Sequence, residues 1–197
     1  MRIGVFGGSF NPVHNGHLRL ASHAASELNL NKVVFIPSHL TPLKDEKGLL
    51  PAPLRVRLLR QALKYRPLFS VSLCEVRRGG LSYTVDTLKA LKKRFKGATL
   101  FFLCGADTLK NISRWKNLDR VMGLCCFTVL SRPGHRPRAR KDRRMLYVPL
   151  DALPVSSSEV RRRLKAGQSV KGLVPGETLR TLTGYYRRTG KGLRARK

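Results

Sequence analysis

Apolar residues recur along the chain in two rhythms: short, nearly unbroken runs and longer stretches with helical spacing. The runs at 3–6, 32–36 (KVVFI), 69–73, 99–104 (TLFFLC), 124–130 (LCCFTVL) and 145–148 have the length and side-chain content of buried strands. Helical spacing covers 18–28, 54–63, 83–95, 107–121, 156–165 and 175–188. Strands that lack polar alternation must be covered on both faces, which is the condition of a parallel sheet between helix layers. The pattern therefore predicts an α/β fold: a Rossmann-like parallel sheet flanked by helices on both faces, as a single domain over residues 1–186. In such a sheet, ligands bind beyond the carboxyl ends of the strands, where the strand order reverses. The stretches to inspect are 7–17, 37–44, 105–115 and 131–132.

Composition changes this picture in two ways. With 42% apolar residues in 197, the chain can build a sizeable core. No apolar run approaches the roughly 20 residues of a membrane span, and the early glycines interrupt any signal-peptide pattern. Cys74, Cys104, Cys125 and Cys126 form no C-x-x-C pair, and three of them lie in apolar runs, so they read as reduced, buried small side chains in a cytoplasmic protein. The charge is the unusual feature: 40 Lys and Arg against 11 Asp and Glu, a formal +29. Seven basic residues fall in 132–144 and six in 187–197, and without both segments 27 basic and 10 acidic residues still leave +17. A surface this basic implies anionic ligands, nucleic acid contact, or both.

The candidate chemistry starts at GVFGGSFNPVHNGH, residues 4–17. Gly7 and Gly8 follow the first strand and allow close approach of a ligand to the main chain. His14 and His17, three apart at a helix start, can face one way. A helix N-terminus supplies unpaired N–H groups and partial positive charge, so two imidazoles beside it suit a polyphosphate. The stretch is neither a Walker loop nor G-x-G-x-x-G. A histidine metal pair is the alternative, but no third ligand follows at the usual spacing.

These residues resemble the H-x-G-H signature of the nucleotidyltransferase superfamily. In order along the chain, GGSFNPVHNGHL, PSHLTPLK, LSYTVDTL (81–88), CGADTL (104–109), Trp115, SRPG (131–134) and VSSSEVR (155–161) resemble the nicotinate-nucleotide adenylyltransferases of NAD synthesis. The resemblance runs from Arg2 to about Tyr186 and implies transfer of AMP from ATP to nicotinate mononucleotide, with release of pyrophosphate. It implies that Gly8, Ser9, Phe10, His14 and His17 grip phosphates, that Lys44 reaches them too, and that Ser156, Ser158 and Arg161 take the β- and γ-phosphates. Gly105 and Asp107 would approach ribose and adenine, with Arg132 a further candidate. Tyr83 and Thr84 would offer main-chain N–H groups to the nicotinate carboxylate, Trp115 would stack on the pyridine, and His39 would lie near that ring. Mg²⁺ would enter through the ATP phosphates.

The chain departs from the family pattern at Asn11, His39, Thr41 and Leu43. Ser156 also reads as an ordinary helix cap, and Trp115 as a core residue. Two other functions compete: a different H-x-G-H nucleotidyltransferase, such as one using phosphopantetheine, and a basic nucleic-acid-binding protein on the same fold. The tail, 187–197, reads as a flexible polycation able to hold RNA weakly and without sequence preference. Oligomeric state is left open.

Overall fold

The computed structural model describes residues 1–42, 48–131, 145–150 and 153–190. Lys44, Leu43, Arg132 and most of the tail lie outside the described residues. Six strands, β1 (Arg2–Gly8), β2 (Lys32–Pro37), β3 (Phe69–Val71), β4 (Thr99–Gly105), β5 (Cys126–Ser131) and β6 (Met145–Pro149), form one sheet in the order β3-β2-β1-β4-β5-β6. Every neighbouring pair is parallel. The helices are α1 (Asn15–Glu27), α2 (Ala52–Leu63), α3 (Cys74–Arg78), α4 (Thr84–Arg94), α5 (Leu118–Leu124), α6 (Ser157–Lys165) and α7 (Gly176–Arg188), with a 3-10 helix at Ala106–Arg114.

Successive residues of each strand enter opposite cores, as the two-residue period requires. Val33 and Phe35 join one cluster with Leu18 of α1, Leu58 of α2, Leu164 of α6 and Leu182 of α7. Val34 and Ile36 join the other, with Leu88 and Leu91 of α4 and Val121 of α5. The expected sheet between two helix layers is therefore present. The strand order reverses between β1 and β4, and Gly8 and Gly105 end those two strands on either side of the crevice.

Several local expectations need correction. The helical stretch expected over 107–121 is a 3-10 helix and then α5, separated at Asn117, whose φ of 53° is left-handed. The strand expected from 124 begins at Cys126, because Leu124 closes α5. Helix α3 has no counterpart in the hydrophobic pattern. Of the cysteines, Cys104 is buried, Cys74 and Cys125 are half-buried and Cys126 is exposed, all four as free thiols. Helix α7 ends at Arg188, as the spacing over 175–188 expects, so the first two basic residues of 187–197 complete its last turn, where cations favour the helix dipole. Among the described residues, no helix is long and apolar enough to cross a membrane.

Candidate active site

The crevice at the β1/β4 switch point is a cavity of about 310 Å³. Gly7, Gly8 and Ser9 form one wall, Gly105, Asp107 and Asn111 another, and Thr84 and Trp115 the far end. A smaller cavity of about 110 Å³ continues it past Thr41, Tyr83, Thr84 and Trp115.

The near end is built where the chain turns from β1 into α1. Phe10 takes a φ of 43°, unusual for a residue with a side chain. Its ring is buried edge-on against Phe6, centroids 5.5 Å apart, which offsets the strained turn. The turn brings His14 to the N-cap of α1. The His14 N–H donates to His17 Nδ1 at 3.2 Å, the His17 N–H donates back to the His14 carbonyl at 3.0 Å, and the two rings lie 3.6 Å apart. The glycine between them has a steric reason: a Cβ on Gly16 would meet His14 Nδ1 and Val155 Cγ1 at 3.0 Å each. His14 is 8% exposed, and its Nδ1 is buried with no hydrogen-bond partner. Burial pushes its pKa down from 6.5 to about 4, so the imidazole is neutral at pH 7.

Helix α6 arrives at the same turn. Ser157 Oγ donates to the Pro12 carbonyl at 2.9 Å, and Arg161 Nη1 donates to the Asn11 carbonyl at 2.7 Å. Arg161 Nη2 also donates to Ser158 Oγ at 3.3 Å. Ser156 does cap α6, accepting from the Glu159 N–H at 3.2 Å, and Ser156 and Ser158 are exposed. The first N–H of α1 is engaged within the protein: the Asn15 N–H donates to the Leu173 carbonyl at 2.9 Å.

The far end has different materials. Tyr83 precedes the first turn of α4 and no side chain caps that helix, so its leading N–H groups are the available donors beside the cavity. Trp115 follows the 3-10 helix, packed edge-on against Phe102 (5.6 Å) and Phe127 (5.7 Å), and still lines both cavities. The tryptophan packs on the core and also walls the cleft. Lys116 Nζ lies 4.5 Å from the Tyr83 ring centre. His39 turns away, with Nδ1 3.3 Å from the Gly80 carbonyl, and does not line the cleft. Asp107 lines it but is exposed and paired with Lys110 at 2.8 Å.

A family model described as cytidylyltransferase-like matches residues 5–163. A protein of Clostridium novyi (strain NT) named probable nicotinate-nucleotide adenylyltransferase is 35% identical, over 87% of this chain and 91% of its own. One of the same name from Acidothermus cellulolyticus is 36% identical over 97% of each chain. This chain belongs to the nicotinate-nucleotide adenylyltransferase family. Among solved structures, a Plasmodium falciparum nicotinic acid mononucleotide adenylyltransferase complexed with NaAD superposes with a TM-score of 0.77. It is 19% identical, over 94% of this chain and 96% of that one, and it shares the fold.

The H-x-G-H pair and α6 meet at the β1–α1 turn, and Gly8 and Ser9 leading into that turn line the crevice whose far end holds Thr84 at the start of α4. Two buried charged groups at the crevice had no counterpart in the sequence reading. Glu75 of α3 lines the cavity and accepts from Thr87 Oγ1 at 2.5 Å, and burial pushes its pKa up. Arg55 of α2 is 1% exposed. Periodicity treats both residue types as surface, and nothing local marks them as buried. Cys104 also lines the cavity, but burial raises its pKa and disfavours the thiolate, so it is no ready nucleophile.

Proposed function

We propose that this cleft transfers AMP from ATP to nicotinate mononucleotide, giving nicotinate adenine dinucleotide and pyrophosphate in NAD biosynthesis. The observation that supports the reading is a crevice at the strand-order switch lined at one end by Gly8 and Ser9, which lead into the His14–His17 turn, and at the other by Thr84 and Trp115. The attacking group is itself a phosphate oxygen, so the reaction needs no nucleophilic side chain and no general base. What it needs is in-line positioning of two polyanions and relief of the charge developing between the α- and β-phosphates.

His14, His17 and the main chain at Gly8, Ser9 and Phe10 grip the α- and β-phosphates. The neutral imidazole of His14 acts there as an N–H donor, and phosphate bound beside it favours its protonation. Arg161, as a forked donor, and the hydroxyls of Ser156 and Ser158 take the outer phosphates. By the family resemblance Lys44 would reach the phosphates, and Arg132 would be a further candidate for the ribose and adenine. Gly105 and Asp107 border the ribose and adenine. Thr84 and Tyr83 present main-chain N–H groups to the nicotinate carboxylate, and Trp115 stacks on the ring.

Mg²⁺ would be held through the ATP phosphates, where it would supply further charge neutralisation. The protein works in the cytoplasm. Its residues 1–186 form the transferase domain, and the remaining basic tail, together with a basic body, associates weakly with RNA. Each phosphate neutralised steepens the salt dependence of that association by about 0.7 to 0.9 log units.

The test is a coupled assay of pyrophosphate release with ATP and Mg²⁺, comparing the acid and the amide mononucleotide. Release requires a mononucleotide, and the acid is the better substrate because N–H donors favour a carboxylate over a carboxamide. Folded protein that releases pyrophosphate with neither would refute the function. Equal kcat/KM for the two would refute the placement of Tyr83 and Thr84.

A further inference from the structure

Arg55 is the largest fully buried side chain among the described residues, and it lines neither cavity. It stands in the first turn of α2 and spends its guanidinium on main-chain carbonyls. Nε donates to Leu50 at 2.9 Å, Nη1 to Ser9 and to Ser38 at 2.8 Å each, and Nη2 to His39 at 3.1 Å. These acceptors come from three stretches: the lead into α2, the loop after β1 and the loop after β2.

The two loops leave adjacent strands in register, Gly8 opposite Pro37, and Ser38 N–H donates to the Gly8 carbonyl at 3.0 Å. Ser9 opens the turn that carries Phe10 and His14. Thr41, just past His39, lines both cavities. One rigid planar fork thus spans the roots of the phosphate-side loop and the mononucleotide-side loop. A lysine offers three donors from a single point and cannot span these acceptors, and an apolar residue would leave four carbonyls without their partner. Asn11 adds a parallel brace, its Oδ1 accepting from the Leu50 N–H at 2.9 Å and its Nδ2 donating to the Gly48 carbonyl at 3.1 Å.

We propose that Arg55 is a positioning residue for adenylyl transfer: its buried fork holds the Ser9 and Ser38–His39 main chain in one frame, so that it sets turnover rather than substrate affinity. The inference rests on the function proposed above. It is tested with Arg55→Lys and Arg55→Ala in the full chain, by steady-state kinetics per folded molecule and by amide hydrogen exchange. The kcat falls about 10-fold in Arg55→Lys and about 100-fold in Arg55→Ala, the scale of a reacting geometry misplaced by about 1 Å. KM for ATP and for nicotinate mononucleotide moves less than about threefold. Guanidinium ion restores part of the kcat of Arg55→Ala, whereas potassium at equal ionic strength does not. The Ser38 amide and the amides of residues 9–13 exchange faster together in Arg55→Lys, while β4 and α4 keep their protection.

Wild-type kcat in either folded variant overturns the proposal, as does a loss confined to KM. If Arg55→Ala does not fold, Arg55→Lys decides by the same two readouts. Should wild type itself release no pyrophosphate, the functional reading fails separately, and the exchange experiment still judges the clasp: unchanged exchange in both loops refutes it.

Discussion

The two ends of the cleft solve different problems with different parts of the chain. The phosphate end is made of side chains that are themselves gripped. His14 is buried beside Gly16, His17 accepts from the His14 N–H, and Arg161 is tied to the Asn11 carbonyl. The pyridine end is made of an uncapped helix start and one face of Trp115. A polyphosphate at its reacting centre needs donors that do not reorganise as charge develops. A flat ring with one carboxylate needs a wall and a pair of amides. The first end should therefore act on turnover and the second on affinity.

The largest expected break is His17→Ala. Removing one preorganised donor lowers kcat by about 10²–10³-fold, with a much smaller change in KM for nicotinate mononucleotide. Near-normal turnover would mean that His17 only shapes the turn.

The second break comes through pH. The His14 pKa is about 4 in the folded chain, against 6.5 for a histidine side chain open to water. Below about pH 6.5 the unfolded chain takes up a proton that the folded chain refuses, so stability falls from there down to about pH 4. The full difference is about 3 kcal/mol. Urea titrations at pH 7 and pH 4.5 should show this slope, and His14→Asn should flatten it. Saturating ATP, by favouring protonation of His14, should flatten it as well. An unchanged slope in His14→Asn would assign the pH dependence to other groups.

Gly16→Ala sharpens the phosphate end from within. The added methyl meets His14 Nδ1 and Val155 Cγ1 at 3.0 Å, which costs about 1–3 kcal/mol of stability and displaces the imidazole. A calorimetric scan together with kcat checks both, and a variant normal in both would show that α1 and α6 yield easily. The smallest effect belongs to the other end. Trp115→Ala should raise KM for nicotinate mononucleotide about tenfold with little change in kcat, from a lost stacking face of about 1–3 kcal/mol.

The proposed phosphate end could be read from the sequence because its chemistry is contiguous: strand, two glycines and His-x-Gly-His lie within 4–17. The strands were legible for a related reason, since six apolar runs without polar alternation leave few alternatives to a covered parallel sheet. What stayed hidden depends on partners distant in the chain. Arg55 looks like the polar face of a helix until the carbonyls of Ser9 and Ser38 arrive from two other loops. Glu75 sits in a five-residue helix too short for periodicity to reveal. The break at Asn117, which leaves Trp115 at the cleft wall, rests on a left-handed residue that helical spacing did not register. His39, placed near the ring by the family resemblance, has its Nδ1 3.3 Å from the Gly80 carbonyl, a contact the sequence did not suggest.

The division of labour is tested most directly by a double-mutant cycle on His17 and Trp115, read as kcat and KM for nicotinate mononucleotide under saturating ATP and Mg²⁺. If each end acts independently, the double variant shows the kcat of His17→Ala and the KM of Trp115→Ala. The losses in kcat/KM should then add in free energy to within about 0.5 kcal/mol. A double variant no worse than His17→Ala alone would show that the two ends act as one unit, and would contradict the account.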